Sequence, residues 1–275
     1  MTVNSLPPTH PGNAERRGLR DNDIFAGMRL AHIWLRWGWN DIAQKYRRSK
    51  LGPFWNSLNL AVQVVAIGFV FSTLWKMDIG ELMPYLCPGL ILWNLLTGFV
   101  NEGCQSFSAS GNIIKSINLP LSIHAYRVIT RNLVLFLHNA VVYIAVVVIF
   151  GVELNLATLF LIPAFVFYII NGVWVTLLFG VLSARFRDVP QVMTNLLLLM
   201  FFVTPIFWFP NALGRSRYLA DFNVIFHFID IGRMPMMGNM PSLTSWLVVF
   251  GVTVCGLLVV IPFYTRYGRR TVTWL

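Results

Sequence analysis

The chain has 275 residues, of which 56% are hydrophobic and only 12% charged, with a mean hydropathy of +0.65; this excludes a soluble domain of ordinary composition. Inside a bilayer every backbone N–H and C=O must be paired within the protein, so long apolar runs must be helices or strands of a closed barrel. The runs here are continuous and lack the alternation of a barrel, which predicts an all-α integral membrane protein. The formal charge of +10 does not point to nucleic acid, because the basic residues are interleaved with apolar runs and cover no soluble face. Cys87, Cys104 and Cys255 fall in or beside apolar runs; the first two lie on one predicted helix, roughly 25 Å apart at 1.5 Å per residue, so no disulfide framework or metal cluster follows.

In chain order, residues 1–23 carry Pro7, Pro8, Pro11, Gly12 and Gly18 among polar residues and read as a mobile cytoplasmic tail. Its Asp21-Asn22-Asp23 has the form of the paired aspartates of metal-dependent sugar transferases, but three residues in a tail match by chance too easily to carry that reading. Residues 24–50 form the second region. From Ile24 to Arg48, Ala31, Leu35, Trp39, Ile42 and Tyr46 share one helical stripe, while Arg36, Asn40, Gln44, Arg47 and Arg48 lie opposite. Such a helix suits the membrane surface or a soluble partner.

The third region, 51–275, holds six predicted spans near 54–75, 84–105, 132–150, 158–181, 191–209 and 245–264. The basic residues orient them. Nine precede the first span, three (Lys115, Arg127, Arg131) follow the second, two (Arg185, Arg187) the fourth and three (Arg266, Arg269, Arg270) the sixth, against Lys76, Arg215, Arg217 and Arg233 on the other side. The positive-inside rule therefore predicts both termini in the cytoplasm. The last outer connection, 211–244, contains an apolar piece, Phe222 to Ile231, too short to cross; it reads as a re-entrant or interfacial helix, at a mouth or in an outer lid.

A phosphate-binding loop needs a lysine after glycines, and none of Lys45, Lys50, Lys76 and Lys115 follows a glycine; any ATP, with its Mg²⁺, must therefore be bound by another subunit. No hydrolase or zinc motif is present, so no catalytic or metal residue is assigned and the chain reads as a non-enzyme. Ionisable residues are nearly absent from the span interiors. Glu102 and His138 lie near their ends, which argues against a proton-driven device. Gln63, Asn94, Asn139, Asn171 and Asn195 lie at depth, where amides join helices by hydrogen bonds or face a channel. Aromatic residues crowd the outer half. Trp93, Phe201, Phe202 and Trp208, with Asn94, are the candidate substrate pathway, since aromatic faces hold sugar rings weakly, although the same rings also serve as membrane-belt anchors.

The segment Tyr46-Arg47-Arg48-Ser49-Lys50-Leu51-Gly52-Pro53-Phe54-Trp55 resembles a motif of the permease subunits of ATP-binding-cassette polysaccharide exporters. The resemblance continues at Ala184-Arg185-Phe186-Arg187-Asp188-Val189, at Thr204-Pro205-Ile206, and at Asp230-Ile231-Gly232-Arg233-Met234-Pro235 with Gly238. Asn223-Val224 departs from it, since Asn-Pro is common there. The resemblance implies a type-two exporter permease of the cytoplasmic (inner) membrane. Such a chain pairs with itself as a homodimer and with two copies of a nucleotide-binding ATPase, and it exports a lipid-linked polysaccharide such as an O-antigen. It also implies a coupling helix in the first cytoplasmic loop, here Ser110, Gly111, Asn112, Ile113, Ile114 and Lys115. The helix over 24–48 then corresponds to an interfacial gate helix, whose Arg36, Arg47 and Arg48 would meet a lipid diphosphate or anionic membrane lipid. Two rivals remain: an exporter of drugs or small lipids with the same architecture, and a membrane glycosyltransferase using Asp78 or Glu81.

Overall fold

The computed structural model describes residues 23–210 and 218–275. The predicted tail, apart from Asp23, lies outside the described residues, as do Arg215 and Arg217 of the outer connection.

Two short helices open the described chain, α1 (Asp23–Arg29) and α2 (Ala31–Lys45). They are followed by α3 (Phe54–Trp75), α4 (Ile79–Gln105), a 3-10 turn (Ser108–Ser110), α5 (Gly111–Ser116), α6 (Ser122–Phe150), a second 3-10 turn (Leu156–Phe160) and α7 (Leu161–Arg185). The last four are α8 (Val189–Val203), α9 (Tyr218–Asp221), α10 (Val224–Met236) and α11 (Leu243–Trp274). The all-helical reading holds among the described residues.

Among the described residues, five segments are long and apolar enough to cross a membrane: α3, α4, α6, α7 with its preceding turn, and α11. The fifth predicted span, 191–209, is not such a helix. α8 has 15 residues, about 22 Å of rise against roughly 30 Å of hydrocarbon, and it stops where Thr204 turns extended ahead of Pro205. Other spans run longer than predicted. α6 starts at Ser122 instead of 132 and has 29 residues, about 44 Å, so Arg127 and Arg131 sit on the helix and not in a loop.

The predicted helix over 24–48 is two helices, broken at Leu30 and ended at Lys45. Of the predicted stripe, Leu35 and Trp39 are exposed and Ile42 is buried, and Gly38 is buried one turn before Ile42. Gly38 permits this, because a Cβ there would meet Thr130 Cβ at 2.8 Å and the Arg127 carbonyl at 3.1 Å. Leu35 and Trp39 are left facing outward, as a helix lying on hydrocarbon requires.

α4 is the centre of the bundle. Of its most apolar stretch 72% is buried, against 17% for α11, and Leu82, Leu86, Leu90, Ile91 and Leu92 are fully covered by α3, α6, α7, α8 and α10. Around it the main core includes Phe99, Phe136, Tyr168, Ile206 and Ile229. A second cluster of Phe107, Ala125, Leu177, Val181, Val260 and Tyr264 lies at the end of the bundle that carries α1, α2 and α5, here termed the basic end. Two of the predicted amide contacts are made: Asn56 Nδ2 donates to Asn139 Oδ1 at 2.9 Å, and Asn171 donates to Thr253 Oγ1 at 2.7 Å while accepting from Trp174 Nε1 at 2.8 Å. Gln63, Asn94 and Asn195 are exposed.

The α4–α7 contact depends on Gly103, where a Cβ would lie 3.0 Å from the Thr176 Cα, a backbone atom that cannot swing aside. Gly103→Val should destabilise the detergent-solubilised protein by about 1–3 kcal/mol through overpacking. A lowered thermal unfolding midpoint is the expected readout, and an unchanged midpoint would show that the helices part at no cost.

Candidate functional site

At the basic end one carboxylate joins three helices. Asp23, the first residue of α1, accepts from the backbone N–H groups of Leu121 and Ser122, each at 3.0 Å, and so caps α6 from a distant part of the chain. Tyr264 of α11 donates its hydroxyl to the same carboxylate at 2.6 Å. Ser122 Oγ returns a bond to the Asp23 carbonyl at 2.7 Å, and the Tyr126 hydroxyl donates to the Ile24 carbonyl at 2.9 Å.

α2 is held by an ion-pair chain. Asp41 receives a two-pronged pair from Arg127, Nε at 2.6 Å and Nη2 at 2.5 Å, and a third bond from Arg131 Nη1 at 3.1 Å. Arg131 continues to Glu102 of α4 at 2.7 Å, and Asn132 also donates to that oxygen at 2.7 Å. The Arg127 guanidinium lies 5.7 Å from the Trp37 ring centre, which places a cation on an aromatic face of α2. These charged side chains are only 15–29% exposed, so their pairing is screened less than that of a surface bridge. Sequence reading missed this set. The available signals were Asp41 as the lone acid of 24–48 and the i, i+4 spacing of Arg127 and Arg131.

The predicted gate arginines are exposed and outside that chain. Arg47 and Arg48 come together with Gln44 and Lys45 around a recess of about 490 Å³, whereas Arg36 stands apart from it. Among the described residues three cations and no acid line this recess, so it suits an anion.

The predicted coupling segment is a short helix. Ser110 is buried at the end of the 3-10 turn, and α5 then exposes Asn112 and Lys115 while Gly111, Ile113 and Ile114 are half-buried. Ile114 packs on the second core cluster, and Gly111 faces Leu275 at the end of the chain, so α5 rests on α11. Ile117 ends it in extended backbone, and five residues later the chain enters α6 at the Asp23 cap.

At the opposite end the stop in α8 is held from α10. Arg233 is completely buried; its Nη1 donates to the Pro205 carbonyl at 2.8 Å, and its guanidinium lies 3.9 Å from the Tyr85 ring centre. A cation at the C-terminal end of α8 and on an aromatic face is stabilised by both. Its Nε and Nη2 have no hydrogen-bond partner among the described residues. The Tyr85 hydroxyl donates to the carbonyls of Pro205 and Trp208 at 3.2 and 3.3 Å, and Asn223 Nδ2 donates to Thr204 Oγ1 at 2.9 Å. Ser245 bridges His227 and Asp230 at 3.0 and 2.7 Å. Asn223 also caps α10, accepting from the N–H groups of Ile225 and Phe226. The helix therefore begins at Asn223-Val224 without the proline expected there, because the side-chain cap sets its start.

Of the candidate pathway residues, Trp93, Phe201, Phe202 and Trp208 fall in one aromatic cluster. Trp93 stacks edge-on to Phe201 at 5.5 Å, Phe201 lies 5.6 Å from Phe202, and Trp208 Nε1 donates to the Phe202 carbonyl at 3.3 Å. Trp93 is buried, Phe201 and Trp208 are half-buried, and Phe202 and Asn94 are exposed, so only the last two present open faces on the single chain. Among the described residues no His, Cys, Asp or Glu cluster could hold a metal ion.

The profile of the family described as ABC-2 type transporter matches residues 35–237, which reach from α2 through α10. The chain belongs to the ABC-2 type transporter family. Two relatives, each an O-antigen export system permease protein RfbA of Klebsiella pneumoniae, are 25% identical over 169 residues, covering 61% of this chain and 65% of theirs. A protein of the same description from Myxococcus xanthus is 22% identical over 188 residues, covering 66% of this chain and 71% of its own. The match thus spans just under two thirds of the Klebsiella relatives' length. Membership of a family of membrane transporters accords with five crossing segments in a multi-pass chain.

Within the family match, the attachment of α2 rests on Asp41. Asp41→Asn removes the charge that three guanidinium bonds share and should weaken α2 docking by about 1.5–3 kcal/mol. Trypsin should then cut at Arg36 and Lys45 several-fold faster in detergent while α6 stays resistant; equal cleavage of both forms would show that the ion pairs do not hold the helix.

Proposed function

We propose that this chain is the membrane subunit of an exporter that moves a lipid-linked polysaccharide, of the O-antigen kind, out across the cytoplasmic membrane. Two copies of the chain form the pathway, and two copies of a separate ATPase, binding ATP and Mg²⁺, drive it. The names of the relatives support the cargo. The excess of basic residues at the end that carries α1, α2, α5 and the last turns of α11 supports a cytoplasmic basic end with both termini there. On this reading α8, with the bent segment after Thr204, completes a sixth crossing.

The observation that carries the proposal is the form of α5. It is a six-residue helix with Asn112 and Lys115 exposed and Ile114 seated on the core, joined without a break in the chain to the capped start of α6. A short helix with a polar outer side and a fixed back can enter a partner's cleft and pass a push into the bundle. Exposed amides at depth support the paired copy. Gln63, Asn94 and Asn195 sit on α3, α4 and α8, with Asn195 accepting from Gln191, and exposed amides facing hydrocarbon are costly, whereas a second copy or a watery channel would satisfy them. The recess at Lys45, Arg47 and Arg48 supports a gate role for α2 toward a lipid diphosphate.

The test uses the chain reconstituted with its ATPase subunit and a lipid-linked glycan. Scrambling Asn112 to Lys115 should abolish glycan-stimulated ATP turnover and export together while leaving the membrane assembly intact by size exclusion. Export at wild-type rate from the scrambled chain sinks the coupling role, as does labelling of a cysteine at position 115 from the periplasmic side.

A further inference from the structure

We infer, resting on the export reading, that the glycan carried by this chain is built of uncharged sugars, because the face along which it passes offers amides, hydroxyls and rings but no cation. That face is a polar stripe shared by α4 and α8. Asn94, Thr97, Asn101 and Gln105 recur at helical spacing on one side of α4, and Asn94 and Gln105 are exposed although most of the helix is covered. On α8, Gln191, Thr194 and Asn195 are all exposed, and Thr194 Oγ1 ties the two helices by donating to Asn101 Oδ1 at 3.4 Å. Gln191 Nε2 donates to Asn195 Oδ1 at 3.3 Å, which leaves both amides with further donors and acceptors to offer.

The stripe occupies the half of the membrane nearer the basic end. From Gln105 to Asn94 it rises about 16 Å, about half of the roughly 30 Å hydrocarbon. The same side of α8 then continues to Phe202, which is 61% exposed. Small residues let membrane helices meet backbone to backbone, whereas the longer amides of this stripe hold a second copy off it and leave a polar gap for cargo. An amide gives a sugar hydroxyl both a donor and an acceptor. A ring face takes the C–H side of a sugar, and its negative quadrupole repels a carboxylate.

Cations are missing from the route. α3, α4 and α8 contain no lysine or arginine, and α7 has only its last residue, Arg185. Arg127 and Arg131 lie in the first three turns of α6 and are paired with Asp41 and Glu102, so that group of four has no net charge. Arg266, Arg269 and Arg270 lie in the last turns of α11 at the basic end, and Arg233 is completely buried. Pores that pass anions line their path with arginine or lysine. A polymer with a carboxylate or phosphate in every repeat would present an uncompensated charge at each step of this route, whereas a carrier diphosphate would do so once per molecule.

The experiment reconstitutes the chain with its ATPase subunit and supplies two lipid-linked glycans of equal length on the same carrier, one uncharged and one with a uronate in every repeat. Export of the uncharged glycan about tenfold faster or more is expected. Asn195→Lys, which sets a cation on the stripe from an exposed position, should narrow that ratio by raising export of the uronate glycan. Gln191→Lys repeats the change one turn nearer the basic end, where a lysine stem reaches water and folding is spared. Equal export of the two glycans by the unaltered chain overturns the inference and leaves the export reading standing, whereas export of neither overturns both. A ratio unchanged in both lysine variants, at the melting temperature of the unaltered chain, also overturns the inference, because the stripe would then not face the cargo.

Discussion

Hydrocarbon offers a peptide group no water to bond, and the whole arrangement follows from where that prohibition is strictest. It is strictest around α4, whose apolar stretch is buried for most of its length. A helix covered on every side must satisfy its polar atoms within itself or from its neighbours. The neighbours do this at its ends: Asn132 and Arg131 take Glu102 at the basic end, and the Tyr85 hydroxyl meets the carbonyls after the α8 stop at the other. Between those ends the bundle uses uncharged pairs such as Asn56–Asn139 and Asn171–Thr253, which cost less than ions to hold out of water.

The two ends handle charge differently. At the basic end four charged residues form a partly exposed chain across α2, α4 and α6, where water still reaches and partners can exchange. At the other end Arg233 is completely enclosed and held by a carbonyl and a ring face. The first arrangement suits an element that must shift; the second suits a break in α8 that must stay where it is. On the export reading, a push on α5 travels through five residues to the α6 cap, and Asp23 shares that push with α1.

What could be read from the sequence was whatever depends on neighbouring residues. Five long apolar runs announce themselves by hydropathy, and the short helix at Gly111–Ser116 overlaps the stretch Ser110 to Lys115 in all but its first residue. The α8 stop was hidden because the apolar run continues through Pro205 to Phe209, and hydropathy is blind to a backbone that ceases to be helical. Position 23 was assigned to a tail because its partners, Leu121, Ser122 and Tyr264, lie 98 to 241 residues away. The packed face of α2 is silent in the sequence for a similar reason. A glycine and an aspartate carry no apolar signal, yet Gly38 lets α6 approach and Asp41 holds it there. The candidate pathway was legible as a gathering of aromatic rings, but which rings are open and which are packing depends on contacts between helices far apart in the chain.

The bond between Tyr264 and Asp23 also constrains how the protein is made. A ribosome adding about 5–20 residues each second needs on the order of ten seconds or more to travel from one partner to the other. Throughout that interval the first helix has been synthesised but lacks the hydroxyl that completes its attachment. Final seating of α1 therefore waits until α11 has been made and inserted.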